Sequence, residues 1–229
     1  MMPKKWLIEF HESSTPITQP VTKFGGQPVW VEQPQWPLSR ETGHPMRFIG
    51  QIALTPELGY TSPAQMAYLF ITDEEDDSYV DGTWEPEGGE NAVILQPGTP
   101  RWPTRSQPTG PTIYRMVEKA GQELLQRESC EFSVQLTETD DIPFVSQEQR
   151  AQLSESEREA VEGVLDESKI GGTPVFLQGD ELPFAGGWQL LLQLDSCSAP
   201  FCINFGDAGI GYAFLNSVGD QARFLWQGG

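Results

Sequence analysis

The sequence predicts an α+β protein, internally duplicated, with two β-rich pseudo-repeats and few helices. Three observations lead to this fold class: one short phrase that occurs twice, matching alternating runs in the two halves, and one amphipathic helical run. We expect a single domain over residues 1–229, with pseudo-repeats at roughly 1–110 and 111–229.

The repeated phrase reads Lys, an apolar residue, Gly-Gly, a variable residue, Pro-Val and an aromatic residue. It occupies residues 23–30 and again residues 169–176. Two glycines permit a positive φ, which residues with a Cβ avoid. The proline favours extended geometry before it, and Val followed by an aromatic residue favours a strand. Each phrase is therefore predicted to be a turn that starts a strand.

The first half contains runs that alternate between two faces or are rich in β-branched and aromatic residues, as strands do. These runs are residues 4–12, 46–54, 66–72 and 92–95. Five prolines between residues 97 and 111 predict a linker between the halves.

The second half repeats this order. Residues 188–195 match 46–54 when Gln193 is set against Gln51, and residues 211–216 and 222–225 match 67–72 and 92–95. Residues 112–118 and 131–137 are also predicted strands, with residues 121–128 helical between them. Four matched segments in one order indicate two pseudo-repeats.

A helix is predicted before the second phrase. Ser146 or Ser154 could cap it, because Gln149 and Glu157 lie three residues beyond, as in a capping box. Residues 153–165 carry an apolar stripe opposite glutamates. Gly171 is the predicted C-cap, with Lys169 near the negative helix end.

Charge is the outlying compositional property: 33 acidic and 14 basic residues give a net charge of −19. Nucleic acid and anionic membranes need a positive face, so neither is expected as a partner. Three cysteines cannot form a fully paired disulfide framework, and no signal peptide or membrane span is recognised. We therefore expect a cytoplasmic protein with reduced thiols.

Each half of the chain carries a set of short motifs. The first half has Gly-Gly-x-Pro at 25–28, Trp-Pro at 36–37 and Gly-x-Pro-Met-x-Phe-x-x-Gln at 43–51. The second half has Lys-x-Gly-Gly-x-Pro at 169–174, Trp-Gln-Leu-Leu-x-Gln-Leu-Asp at 188–195 and Gly-Asp-x-Gly at 206–209. In these motifs the chain resembles YwqG-like bacterial proteins. The resemblance implies two similar β-rich halves and no established activity. Because such proteins are often encoded beside secreted toxins, it also implies an immunity role for some members.

Isolated polar residues have a structural and a functional interpretation. Gln51 and Gln193 lie on apolar strand faces, where they could bond neighbouring backbone or line a pocket. Asp207 lies between glycines and is typical of a turn cap, although it could be a catalytic carboxylate. His11 and His44 match no nucleophile or metal pattern, so we predict no catalytic residue, metal site or cofactor.

The acidic stretch at residues 73–90 is the most unusual segment. It does not fit an EF-hand, because Ser78 stands at the sixth position where glycine is required. It could be a solvated loop, or a docking surface in which aromatic residues anchor a basic partner. The predicted partner-binding residues are Asp73, Glu74, Glu75, Asp76, Asp77, Tyr79, Asp81 and Trp84.

The leading hypothesis is a non-enzymatic cytoplasmic immunity protein. Its acidic surface would bind and neutralise a cognate secreted toxin, such as a basic nuclease, by occupying the channel meant for phosphates. The alternative is a small-ligand binding module or an uncharacterised enzyme that uses a cleft between the repeats.

Overall fold

The computed structural model describes residues 2–60, 62–73, 80–98, 109–121 and 124–229. Most described secondary structure is β, because the alternating and aromatic-rich runs form strands. The strands are β1 (Lys4–Glu12), β2 (Lys23–Gly25), β3 (Arg47–Ala53), β4 (Met66–Ile71), β5 (Asn91–Gln96), β6 (Tyr114–Val117), β7 (Gln126–Ser129), β8 (Glu131–Asp140), β9 (Lys169–Gly171), β10 (Trp188–Asp195), β11 (Ile210–Asn216) and β12 (Ala222–Gln227).

Ten strands form one antiparallel sheet in the order β12-β11-β10-β9-β1-β8-β2-β3-β4-β5. The sheet curls until its edge strands, β5 and β12, lie against each other without pairing. The central strand β1 pairs with β8 on one side and with β9 on the other. Strands β6 and β7 form a separate two-stranded hairpin.

The prediction of an α+β protein, internally duplicated as two β-rich pseudo-repeats, is wrong as a description of this fold. Strand accounts for 37% and helix for 7% of the structure, so the protein is mostly β. The predicted units share one continuous sheet, since β1 from the first half pairs with β9 and β8 from the second pairs with β2. Backbone pairing across the centre therefore joins the halves.

The glycine phrases adopt the predicted backbone but not the predicted role. Gly25, Gly26, Gly171 and Gly172 have φ of 70°, 64°, 69° and 75°. However, the phrases end β2 and β9 instead of starting strands. After the glycines the chain leaves the sheet plane and crosses its outer face.

The crossing segments explain why the strands are apolar on both faces. One core cluster fills the inside of the curled sheet, and its members come from both halves. A second cluster lies outside, where Trp30 packs on Tyr68 and Phe70. A third lies outside at the other end, where Phe176 packs on Tyr212 and Phe214.

Helices are short. Both predicted capping boxes are confirmed, at Ser146 for α1 (Gln147–Arg150) and at Ser154 for α2 (Glu155–Glu162). The predicted C-cap at Gly171 is wrong, because α2 ends at Glu162 with Gly163 as its C-cap, and Lys169 belongs to β9. A helix over 121–128 is also wrong, since Gln126–Ser129 pairs with Tyr114–Val117 as a hairpin. No helix in the described ranges is long and apolar enough to cross a membrane.

Candidate functional site

The lysine of each glycine phrase is buried beside a carboxylate. The Lys169 side chain is 0% exposed, and its Nζ lies 2.9 Å from an Asp141 carboxylate oxygen. Lys23, also fully buried, contacts Glu131 in the same way. Burial lowers the pKa of both lysines, and their carboxylate partners oppose that shift. The Lys23–Glu131 pair holds the first glycine turn against β8, and the Lys169–Asp141 pair holds the second against the residue that follows β8. We therefore assign both pairs a structural role.

The Asp141 carboxylate collects several donors. Lys5 Nζ lies 3.3 Å from one oxygen, and the Thr173 N–H donates to the other at 2.9 Å. Burial pushes the pKa of Asp141 upward, but Lys169, the Thr173 N–H and Lys5 outweigh it and hold the pKa below its usual value. The group therefore stays ionised and paired, and it is not available as a proton donor at neutral pH.

The structural interpretation of both glutamines is confirmed. Gln51 is 0% exposed, accepts from the Val29 N–H at 2.8 Å and donates to the Val21 carbonyl at 2.8 Å. Gln193 accepts from the Val175 N–H at 3.0 Å and donates to the Leu165 carbonyl at 2.9 Å. Where the chain leaves the sheet, each side-chain amide makes the hydrogen bonds to backbone groups that a neighbouring strand would otherwise make.

The remaining single candidates are exposed. Asp207 lies in the predicted turn, where its main-chain carbonyl accepts from the Gly229 N–H at 2.7 Å. Its carboxylate makes no hydrogen bond to a described residue. His11 lies on β1, 3.6 Å from Glu9, and His44 lies at the rim of a cavity.

Three of the eight predicted partner-binding residues are described. The Asp73 carboxylate forms an ion pair with Arg47 at 2.6 Å and is 15% exposed. Asp81 is exposed, and its carboxylate accepts from the Gly82 N–H at 3.0 Å. Trp84 is half-buried, with its ring 6.2 Å from that of Trp226. The other five, Glu74, Glu75, Asp76, Asp77 and Tyr79, lie outside the described residues.

The described part of the acidic stretch crosses the gap between β5 and β12. Trp84 reaches Trp226 on β12, and Glu87 lies 3.3 Å from Arg223 on the same strand. The Arg40 N–H donates to the Gly89 carbonyl, which ties the other end to the loop before β3. This segment therefore bridges the two edge strands of the sheet, and its Asp81, Glu85 and Glu87 side chains remain exposed.

A cavity of about 580 Å³ lies beside Asp73 and is lined by His44, Arg47 and Asp73 among others. Arg47 and Arg127 both stack on the Tyr114 ring, at 4.9 and 4.5 Å from its centroid. Burial and then the Asp73 charge raise the pKa of Tyr114. Sequence reasoning missed this cluster, because its members come from four separate segments and share no spacing.

A second acidic surface is α2. Its carboxylates at Glu155, Glu157, Glu159 and Glu162 are exposed. Glu157 is committed to the Ser154 capping box, which lowers its pKa through hydrogen bonds from Ser154. The sequence marked these residues only as the solvated side of a helix.

The cysteines carry no recognised site. Burial raises the pKa of Cys130 to about 12, while Cys197 is exposed and Cys202 half-buried. All three are free thiols. Within the ranges that the structure covers, no group of His, Cys, Asp and Glu could hold a metal ion.

Comparison with curated proteins found no match. A protein family does match, over residues 22–219, and is described as a domain of unknown function, DUF1963. The match begins just before β2 and ends after β11, so it includes both glycine phrases and eight of the ten strands of the main sheet, all except β1 and β12. The chain therefore belongs to the DUF1963 family.

Proposed function

We propose that this protein is a cytoplasmic immunity protein of YwqG-like type within the DUF1963 family. It binds a cognate secreted toxin and blocks it, and the toxin is a basic protein such as a nuclease. The observation that carries the proposal is the distribution of charge: among the described residues, few cations are both exposed and unpaired, so the surface is acidic.

The basic side chains are largely withdrawn from solvent or paired. Four of those described are buried: Lys5, Lys23, Arg47 and Lys169. Five others contact at least one carboxylate: Lys4, Arg115, Arg127, Arg150 and Arg223. With 33 acidic residues against 14 basic ones, an approaching partner meets carboxylates. Such a field attracts a basic partner and repels nucleic acid.

The proposed mechanism is mimicry of phosphate. Carboxylates of the acidic segment, Asp81, Glu85 and Glu87, would enter a cationic channel of the toxin. Trp84, which already packs on Trp226, would contribute a rigid apolar surface beside them. Because contacts with both edge strands already hold the described part of this segment in place, its side chains and backbone would lose little conformational freedom on binding.

The test is co-expression with the product of the adjacent gene, followed by co-purification and a growth-protection assay. We expect a complex whose affinity falls as ionic strength rises. Absence of both complex and protection, with a toxin shown to be active, would end the proposal.

Matched variants identify the surface. The pair Asp81→Asn and Glu85→Gln removes two charges from the loop, and Glu155→Gln with Glu159→Gln removes two from α2. We expect the loop pair to weaken binding about tenfold and the helix pair to leave it unchanged. Glu157 is retained because its capping box stabilises α2.

One observation favours the alternative function, small-ligand binding: the cavity of about 580 Å³ beside Arg47 falls within the usual range for ligand sites. Neither Gln51 nor Gln193 lines it, since both are consumed by backbone bonds. A ligand that co-purifies with the protein and is lost in His44→Ala would support this alternative.

A further inference from the structure

In the first half, a segment from elsewhere in the chain pairs with β3 just past the end of β2. The Phe48 N–H donates to the Pro111 carbonyl at 2.8 Å, and the Ile113 N–H donates to the Phe48 carbonyl at 3.1 Å. Phe48 and Thr112 form a parallel bridge, and Arg47 donates to the Thr112 carbonyl at 2.6 Å. Residues 111–113 thus occupy the edge of β3 that β2 vacates after its glycines.

Leu190 is the corresponding position on β10. Phe48 pairs with Phe70 immediately before an irregularity in β3, and Leu190 pairs with Phe214 immediately before the same irregularity in β10. Strand β9 also leaves its neighbour at the glycines. Across the described ranges, no segment outside the named strands forms a bridge with Leu190. Its carbonyl lies 3.3 Å from the Tyr60 hydroxyl, which donates to the Leu191 carbonyl at 3.0 Å.

The space beside Leu190 is a recess of about 280 Å³. Its lining includes Trp6, Tyr60, Gly171, Gly172 and Gln189. Gln189 takes the position that Arg47 has on β3, and its side chain makes no hydrogen bond to a described residue. The recess therefore offers a strand edge, an uncommitted amide and aromatic walls.

We propose that this recess is a docking groove for one extended segment of a partner polypeptide. The segment pairs in parallel with Leu190, as residues 111–113 pair with Phe48, and so adds a short strand. Gln189 donates to a carbonyl of the segment, in the role of Arg47. A β-branched apolar residue, at the position of Ile113, packs against Trp6 and Tyr60.

The charge beside the recess selects a segment with basic flanks. Lys4 lines the recess, but Glu138 and Asp140 lie 3.3 and 2.9 Å from its Nζ. Two carboxylates therefore accompany one cation, and a basic residue beside the apolar anchor complements them. The inference is independent of the proposed toxin, because it concerns a strand edge and not the acidic loop.

The probe is a capped synthetic peptide, Thr-Gly-Pro-Thr-Ile-Tyr-Arg, with the sequence of residues 109–115. Calorimetry on the full chain measures affinity, and hydrogen exchange locates the protected amides. We expect binding with protection in β10 at residues 188–190. No binding at about 1 mM peptide, or protection confined to β3, would overturn the proposal.

Modified peptides and protein variants sharpen the test. Methylation of the Ile nitrogen removes the donor and should abolish detectable binding, and replacement of Arg by Glu should weaken it. Gln189→Ala should weaken binding about 2- to 10-fold, whereas Gln135→Ala, on an exposed position of β8, should not. Unfolding temperatures of both variants should match the wild type. Equal affinity for the methylated peptide, or an equal effect of both variants, would refute docking in this groove.

Discussion

Replacing Lys169 with Met should destabilise the fold substantially, because it leaves a buried carboxylate short of a partner. Removing one member of a buried pair costs about 3–5 kcal/mol. Asp141 would retain Lys5 at 3.3 Å and the Thr173 N–H at 2.9 Å, which points to the lower end, about 3 kcal/mol. Asp141→Asn should cost more, about 5 kcal/mol, since Lys169 pairs with no other carboxylate among the described residues and would stay buried without an ionised partner.

Urea unfolding followed by tryptophan fluorescence measures the free energies, and calorimetry measures the midpoint. For a chain of 229 residues, 3 kcal/mol corresponds to a drop of about 6–12 °C. The double variant should cost less than the sum of the singles by about 2–3 kcal/mol, because no charge is then left unpaired.

Lys4→Met is the matched control. Lys4 pairs with two carboxylates as Lys169 does with one, but its side chain is 47% exposed and its partners are 55% and 65% exposed. Exposed pairs contribute little to stability, because water and salt screen them. Two results would refute this reasoning. Lys4→Met and Lys169→Met could lower the free energy of unfolding equally, or the effects of Lys169→Met and Asp141→Asn could add in the double variant. Either would mean that burial does not set the contribution of the Lys169–Asp141 pair to stability.

Three other predictions concern the same region. Gln193→Leu should cost about 1–3 kcal/mol by leaving buried backbone groups unpaired, and an unchanged melting temperature would contradict this. Gly172→Ala should cost about 3 kcal/mol or more in urea unfolding, since φ is 75° and a Cβ would overlap the Asp141 carboxylate. Gly43→Ala, with φ of 73° and open space around it, should cost only about 1–2 kcal/mol. The pKa of Asp141 is lower in the folded than in the unfolded chain. Its contribution to the free energy of unfolding is therefore complete above about pH 4 and is lost as the pH falls through the folded-state pKa. Urea midpoints should therefore fall more steeply below pH 4 in the wild type than in Asp141→Asn.

The strands could be predicted because their signals are local. Alternation and β-branched content marked residues 46–54 and 188–195, and the structure has Arg47–Ala53 and Trp188–Asp195. The capping boxes at Ser146 and Ser154 were visible for the same reason, since all their atoms lie within four residues. The helix predicted over 121–128 failed because pairing in a hairpin outweighed local propensity.

The arrangement of the strands and the site could not be predicted, because both depend on distant partners. Lys23 pairs with Glu131, which lies 108 residues further along the chain, and no spacing pattern in the sequence predicts that pair. Asp73 reads as a loop carboxylate until Arg47 is placed beside it, 2.6 Å away. The continuity of the sheet across β1 and β8 likewise follows from pairing and not from composition, which is why the α+β expectation failed.

The position of β1 has a consequence for how the chain is made. β1 is synthesised well before both of its neighbours, Glu131–Asp140 and Lys169–Gly171. During translation the Trp6, Ile8 and Phe10 side chains of β1 stay exposed to solvent, because β1 cannot pair until β8 and β9 have been synthesised. Pairing between strands so far apart in sequence is also slow. The centre of the sheet is therefore completed late, and the unpaired first strand is the segment through which a nascent or truncated chain would aggregate.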